Sequence, residues 1–143
     1  MNVFLDTSVL VAAFLVDHPH YVASRRVLAT CEHPSAACAS HSLAEVYSTL
    51  TRLPPPNRAS PASAIICLEE IERRFRLISL DGESYLHVIR DAGAMMITGG
   101  TIYDALIANC AIRSGADRIY TWNTRHFKQF GSDVADRLFT PDL

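Results

Sequence analysis

The chain has 143 residues, of which 49% are hydrophobic and 20% are charged. This composition excludes an intrinsically disordered chain and a coiled coil, and the length predicts one domain, residues 1–143, with a substantial core. The net charge of -2 excludes a strongly basic surface that coats DNA, but it leaves open an enzyme that acts on nucleic acid.

Short apolar runs alternate with helical patterns along the chain. In chain order, the predicted elements are a strand over residues 3–5, a helix over 20–30, a strand over 34–39, helices over 43–53 and 61–74, a strand over 76–80, helices over 82–94 and 101–114, and strands over 118–122 and 138–140. This alternation predicts an α/β fold with three α/β/α layers around a central parallel sheet of about four or five strands. Binding sites in such sheets form beyond the carboxyl ends of the strands.

Prolines and small polar residues mark the ends of several predicted helices. The prolines at 54–56 end one helix and open a loop that reaches about Ser60. Ser60 followed by Pro61 is typical of a helix start, with serine as the N-cap and proline in the first turn. Asp81 is predicted to cap the helix after the third strand.

The cysteines and the hydropathy pattern indicate the compartment. Cys31, Cys38, Cys67 and Cys110 form no C-x-x-C pair and have small or apolar neighbours. We therefore expect reduced thiols in the core and a cytoplasmic protein. No apolar run reaches the length of a membrane span, so no membrane association is expected.

Three carboxylates lie in apolar surroundings with no cation nearby in the sequence. They belong to Asp6, Glu45 and Asp104. A carboxylate that loses water without gaining a partner costs roughly several kcal/mol. A divalent metal bound by converging acids would offset that cost, and Asp6 follows the first strand at the edge of the sheet where sites form.

Helix capping is the alternative explanation for each acid taken alone. Ser42 with Glu45 and Thr101 with Asp104 match the spacing of the capping box, and Asp6 is suited to cap a short helix just after it. Each cap contributes about 1 kcal/mol. Glu45 also falls roughly opposite the apolar stripe of its helix, where water would solvate it. For any single acid, capping or solvation is the favoured interpretation.

Asp104 is harder to explain by capping alone. Its helix is apolar nearly all round, and no Lys or Arg lies three or four residues away to pair with it. Capping and metal binding are also compatible, because a helix that starts at the carboxyl edge of the sheet brings its first-turn acid to that edge.

Four motifs in order resemble the PIN-domain ribonucleases, and among them the VapC-type toxins of bacterial toxin–antitoxin pairs. The first is the apolar run that ends in L-D-T-S at residues 5–8, and the second is Glu45 on the helix after the second strand. The third is Y-D-A-L-I-A at 103–108, and the fourth is Y-T-W-N-T-R-H-F at 120–127. Each motif alone is weak, but the ordered set is fairly specific and covers the whole chain.

The resemblance implies a metal-dependent endoribonuclease that hydrolyses RNA. Its Mg²⁺ or Mn²⁺ would be held by Asp6, Glu45 and Asp104, directly or through water. Zinc is not expected, since no His/Cys set has zinc spacing. The family frequently has a fourth acid where this chain has Asn123. Asparagine brings no charge, which favours one ion in the resting state.

Several other residues surround these acids in the sequence. Thr7, Ser8 and Thr121 are candidates to hydrogen-bond the acids, with turn or cap chemistry as an equally weighted alternative. Trp122 is expected to pack in the core rather than stack on a base. The six histidines share no ligand spacing, so surface or partly buried positions are expected for them. The candidate contacts to RNA phosphates are Arg125, His126 and Lys128, which is the only lysine.

The resemblance also implies protein partners. These are a cognate antitoxin, which often inserts an arginine among the acids, and a second copy of the chain in a homodimer packed through helices. The loop at 54–60 and the helix after it are the expected contact region.

Two other functions compete with this interpretation. A phosphohydrolase of the haloacid-dehalogenase type also begins with an aspartate after a strand, but it needs a second aspartate where this chain has Ser8. A non-catalytic binding module with a degenerate site is suggested by Asn123, although the three retained acids argue against it.

Overall fold

The computed structural model describes residues 1–142. Within them, five parallel strands form one sheet in the order β3-β2-β1-β4-β5. Strand β1 is central, and its Phe4 lies opposite Ala37 of β2 on one side and Ile119 of β4 on the other. The strands are β1 Val3–Leu5, β2 Ala36–Ala39, β3 Arg76–Ile78, β4 Arg118–Tyr120 and β5 Leu138–Phe139. This confirms the predicted parallel sheet.

Eight α-helices and one 3₁₀ turn connect the strands within the described chain. The five longer helices match the predicted ones to within a few residues. Helix α1 is the short helix that the capping alternative placed just after Asp6. Helices α7 and α8 were not predicted, because four residues are too few to show a 3.6-residue period. The helices are α1 Thr7–Ala12, α2 Tyr21–Ala29, α3 Ser40–Arg52, α4 Pro61–Arg74, α5 Gly82–Ala94, α6 Thr101–Arg113, α7 Thr124–Phe127 and α8 Ser132–Ala135, and the 3₁₀ turn is Lys128–Phe130.

Strand β2 shows how the sheet separates two cores. Its sequence is A-A-C-A, and all four residues are buried. Ala36 and Cys38 pack into the core formed with α1 to α4, whereas Ala37 and Ala39 pack into the core formed with α6, α7 and α8. Successive side chains of a strand point to opposite faces, so the strand is covered on both sides. Helix α5 packs in turn on α6 through Val88. The predicted three-layer arrangement is therefore confirmed.

Strand β1 matches its predicted residues, whereas the other four predicted strands are longer than the observed ones by one or two residues. Central β1 pairs over only three residues, because the chain turns into α1 directly after Asp6. The neighbouring strands can pair with β1 only over that short length, so they are shorter than predicted.

Two of the predicted helix caps are confirmed. The Ser60 hydroxyl accepts a hydrogen bond from the Ser63 backbone N–H at 3.1 Å, with proline in the first turn. The Asp81 carboxylate accepts one from the Ser84 N–H at 2.8 Å.

The capping explanation is wrong for Glu45 and Asp104, whereas for Asp6 the predicted cap position is confirmed without a side-chain cap bond. Helix α3 begins at Ser40, so Ser42 lies inside the helix rather than at its cap. Helix α6 begins at Thr101 and has Gly100 at its cap position, with no side-chain cap bond. Asp6 does occupy the cap position of α1, and the Thr7 and Ser8 backbone amides are close to it, but its side chain lacks capping geometry.

The cysteines are free thiols, as expected. Cys31, Cys38 and Cys110 are buried and Cys67 is partly buried. Burial raises the pKa of Cys38 to about 12 and the pKa values of Cys31 and Cys110 to about 11. These thiols stay protonated and unreactive near neutral pH. Within residues 1–142, no helix combines the length and the apolar character that a membrane crossing requires.

Candidate active site

The predicted acids meet at one cavity beyond the carboxyl ends of the strands. The cavity has a volume of about 460 Å³. Asp6 comes from the end of β1, Glu45 from α3 after β2, and Asp104 from the first turn of α6. Asn123 follows β4. The predicted site residues that line the cavity are Asp6, Thr7, Ser8, Glu45, Asp104 and Asn123.

Asp6 is the buried centre of the site. Its side chain is enclosed, and the residue is only 1% exposed. The Ser8 and Thr121 hydroxyls each donate a hydrogen bond to its Oδ2 at 2.7 Å. Burial raises the pKa of Asp6, while these two hydroxyls act in the opposite direction. The hydroxyls therefore fix the orientation of the carboxylate without neutralising its charge.

Glu45 and Asp104 are held less tightly. The Thr7 hydroxyl lies 2.8 Å from Glu45 Oε1. Burial raises the pKa of Asp104, and the negative charges of Asp6 and Glu45 raise it further, whereas His126 opposes the shift. The Nδ1 atom of His126 lies 3.4 Å from Asp104 Oδ2. Asp104 therefore experiences the charge of the other two acids.

No arginine or lysine within residues 1–142 forms a salt bridge with any of the three acids. Apart from His126, the nearest cationic candidate is His41, whose Nε2 lies 4.0 Å from Glu45 Oε1. Three mutually repelling carboxylates around one cavity are the donor set that hard divalent cations favour.

The described residues fit a hydrated ion better than a fully protein-bound one. Within residues 1–142, no group of three or more His, Cys, Asp and Glu side chains is arranged so that it could hold a metal ion. Mg²⁺ commonly keeps several waters and takes only one or two carboxylates. The buried Asp6 carboxylate and the two more open acids offer such a site, with water completing the coordination.

The three predicted hydroxyls lie against the acids. The Thr121 side chain is fully buried, and besides bonding Asp6 its oxygen accepts the Asn123 backbone N–H at 3.0 Å. Ser8 accepts the Trp122 backbone N–H at 3.0 Å. The segment after β4 is thereby tied to the same two hydroxyls that orient Asp6.

None of the three residues expected to contact RNA phosphates lines the cavity, and their contact with RNA stays a prediction. His126 reaches Asp104. Arg125 and Lys128 are exposed and do not line the cavity. The wall of the cavity therefore contains no arginine or lysine side chain.

Sequence reasoning missed His18, His20 and Thr49, which also line the cavity. Trp122 packs against the core, as expected, but it lines the cavity as well. The His20 ring is stacked on the Trp122 indole, with ring centroids 3.6 Å apart and planes at 9°. These two residues are far apart in the chain, and no periodic pattern links them. The one available signal was the position of Trp122 beside Asn123 in the fourth motif.

Comparison with known proteins adds to this geometry. The PIN domain family matches residues 3–132. Ribonuclease VapC40 of Mycobacterium tuberculosis is 39% identical over 111 residues, which cover 78% of this chain and 79% of that protein. Ribonuclease VapC27 of the same organism is 38% identical over 114 residues, covering 79% of each.

Two solved structures share the fold. The crystal structure of Mycobacterium tuberculosis VapC20, a Sarcin-Ricin loop cleaving toxin, has a TM-score of 0.69 at 16% identity and covers 87% of this chain and 92% of that one. VapBC2 from Rickettsia felis, bound to a DNA fragment from its promoter, has a TM-score of 0.65 at 21% identity and covers 99% and 100%.

Proposed function

Because this chain belongs to the PIN-domain family, we propose that it is a metal-dependent endoribonuclease that hydrolyses RNA phosphodiester bonds as the toxin of a type II toxin–antitoxin pair. Its relatives VapC40 and VapC27 are named ribonucleases. The observation that carries the proposal is the set of three acids around one cavity, within the described chain, with no arginine or lysine paired to them. We also infer a cytoplasmic setting, which suits four free thiols.

The chemistry requires a divalent cation in addition to the protein. Mg²⁺ or Mn²⁺ would be held by Asp6, Glu45 and Asp104, directly or through water. When bound, such an ion supplies Lewis-acid chemistry, which increases the acidity of a water and stabilises negative charge on a phosphate.

The side chains of the site have separate tasks in this proposal. Asp6 keeps one orientation because Ser8 and Thr121 both donate to it. Thr7 does the same for Glu45. Asp104 supplies the third carboxylate from the first turn of α6. Asn123 offers an amide that binds water or phosphate without adding charge.

The test compares Mn²⁺ binding and RNA cleavage in the wild-type protein and in Asp104→Asn. Mn²⁺ should raise the Tm of the wild type by mass action and raise that of the variant less. Cleavage by the variant should fall at least about 100-fold, a size typical of lost transition-state stabilisation. Asp136→Asn changes an exposed acid outside the cavity and should match the wild type. Equal affinity and activity in Asp104→Asn would end the proposal.

A cognate antitoxin is the first protein partner that we infer. The fold neighbour from Rickettsia felis is VapBC2. Helix α4, within the expected contact region, exposes Ile65 and Ile66 at 46% and 66%. Ile66 borders a groove of about 350 Å³ that Phe14 and Tyr21 also line. An amphipathic segment that covers the two isoleucines would bury this apolar surface.

A homodimer is the second association that we infer. Helix α5, on the opposite side of the sheet from α4, exposes Leu86, Ile89 and, just past its end, Met96 at 53%, 44% and 83%. Exposed apolar side chains grouped on one helix mark a protein contact. A second copy of the chain is the occupant that agrees with the expected packing through helices.

A non-catalytic binding module is the second candidate function. This function is favoured by Asn123, which stands where the family frequently has an acid. It is also favoured because, within residues 1–142, no group of three or more His, Cys, Asp and Glu side chains is arranged so that it could hold a metal ion. Cleavage of mixed RNA by antitoxin-free protein, with added Mn²⁺ or with EDTA, separates the two functions. Activity that EDTA removes would exclude the module, and no cleavage of any RNA would favour it. The haloacid-dehalogenase alternative is wrong, because the chain belongs to the PIN family.

A further inference from the structure

The cavity wall carries a pair of stacked aromatic rings that the proposed chemistry does not use. His20 and Trp122 both line the cavity, and their rings overlap nearly face to face at 3.6 Å. That separation is the contact distance of stacked carbon atoms. We propose that this His20–Trp122 stack is a base-binding subsite, which holds a nucleobase of the RNA next to the scissile phosphate. This inference rests on the proposed ribonuclease function.

Trp122 is fixed in relation to the buried carboxylate. Its indole N–H donates to the Ser24 hydroxyl at 2.8 Å, and Ser24 is fully buried. Its backbone N–H donates to the Ser8 hydroxyl, which itself donates to Asp6. The inner side of the indole packs against the core. A ring stacked on the outer side is therefore held at a set distance from Asp6.

His20 supplies the outer ring of the stack. The residue is exposed, and its backbone N–H donates to Nδ1 of His18 at 3.0 Å, which stabilises the turn. The His20 side chain makes no hydrogen bond or salt bridge with the described residues. Stacking on Trp122 therefore positions the imidazole, and the His18 ring lies beside it, tilted by 43° with ring centroids 5.7 Å apart. The nucleobase would stack on the solvent-exposed side of the His20 ring.

The charge distribution explains why such a contact is needed. The cavity wall contains three carboxylates and no arginine or lysine. Phosphate contacts from arginine or lysine, which usually dominate binding to nucleic acid, are therefore not available from the cavity wall itself. Base stacking is insensitive to that charge, and the His20–Trp122 stack is the aromatic surface that the wall offers.

A second ring pair is less suited to this task. His41 and Tyr103 stack with centroids 5.4 Å apart, but neither lines the cavity with the three acids. The inference is therefore limited to the His20–Trp122 stack.

The experiment uses the fluorescence of Trp122, which is the only tryptophan of the chain. Each of the four nucleoside 5′-monophosphates is titrated into the protein, and ribose 5-phosphate serves as the probe without a base. The nucleotides should change the emission saturably, and ribose 5-phosphate should not. His20→Ala should weaken nucleotide binding about tenfold, within the range of one base–aromatic stack. His20→Phe should restore it, and His87→Ala, an exposed histidine on α5, should have no effect.

The same variants are assayed on RNA. His20→Ala should raise KM about tenfold with little change in kcat, because the stack binds the substrate and the transition state alike. The RNA cleaved best from a mixed pool is then made with one abasic nucleotide beside the cut. On that substrate, wild type and His20→Ala should have the same KM.

The outcomes separate this inference from the proposed function. Equal effects of ribose 5-phosphate and the nucleotides, or no change in emission with any probe, would overturn the subsite. An unchanged KM in His20→Ala, in a protein that cleaves RNA, would overturn it while the function stands. Nucleotide binding that depends on His20, in a protein that cleaves no RNA, would support the subsite and contradict the ribonuclease proposal.

Discussion

The buried carboxylate of Asp6 lowers the stability of the folded protein. It is fully enclosed and is stabilised by two hydroxyls instead of a cation. Burial disfavours its charged form, which is why its pKa is raised. Such a residue lowers the stability of the metal-free protein, and its retention points to a role in binding or catalysis.

Replacing Asp6 by asparagine should separate stability from activity. In EDTA at neutral pH, Asp6→Asn should unfold at a higher urea concentration than the wild type, because the neutral amide avoids the cost of burying a charge. RNA cleavage should fall at least about 100-fold. Asp136→Asn is the matched control and should change neither quantity. Lower stability of Asp6→Asn in EDTA would contradict this account.

The stability difference should also depend on pH. A raised pKa in the folded state favours folding at low pH, and that contribution is lost as the pH rises through the folded-state pKa. The difference in the free energy of unfolding between Asp6→Asn and the wild type should therefore be small below the ordinary pKa of 3.8 and should grow as the pH rises above it. Urea titrations of both proteins from acid to neutral pH measure it.

The sequence predicted these residues unevenly, for physical reasons. Asp6, Glu45 and Asp104 stood out because apolar neighbours made their charges costly, and all three reach one cavity. His20 and Trp122 carried no such signal. Their stacking depends on how the turn before α2 folds back toward the end of β4, and a tertiary contact of that kind leaves no local pattern.

Strand β2 illustrates how one element sets the distance between layers. All four of its residues are small and buried, and they alternate between the two cores. Small side chains let α6 and the helices on the other face approach the sheet closely. An interior packed in this way has little room for added methyl groups.

Ala37→Val should therefore destabilise the protein even though valine favours strands. Two extra carbons would press on Ile107 and Ala111 of α6, and overpacking of this kind costs about 1–3 kcal/mol. Ala44→Val, an exposed site on α3, should cost less than about 0.7 kcal/mol from helix propensity alone. Urea denaturation compares the two variants, and equal effects would mean that the layer can relax around Ala37.

At the level of elements, the sequence predicted what periodicity can encode. The five longer helices and all five strands were found, since each has an apolar repeat or run. The short helices α7 and α8 were not predicted and the two capping boxes were mispredicted, because a single turn or a four-residue spacing occurs in many contexts.

The whole molecule has two exposed apolar faces on opposite sides of its sheet. One lies on α4, with Ile65 and Ile66, and the other on α5, with Leu86 and Ile89. Alternation of strands and helices predicted the layers, but it could not assign partners, because exposure is decided only when the layers pack. We have assigned α5 to a second copy of the chain and α4 to the antitoxin.

Leu86→Glu should shift the protein from dimer to monomer, because a buried charge at an apolar interface has no partner. Ile66→Glu places the same charge on the α4 face and should leave the dimer intact while it weakens the antitoxin complex. Sedimentation velocity over a range of concentrations measures the oligomer in each case. A monomeric Ile66→Glu together with a dimeric Leu86→Glu would reverse the assignment.

The pairing of central β1 with β4 has a further consequence during synthesis. The Thr121 hydroxyl that orients Asp6 is encoded 115 positions later. Chains emerge from the ribosome with the N-terminal part first, so Asp6 is synthesised long before Thr121, its hydrogen-bond partner. The hydrogen bonds that orient Asp6 therefore cannot be complete until synthesis of the chain is almost finished.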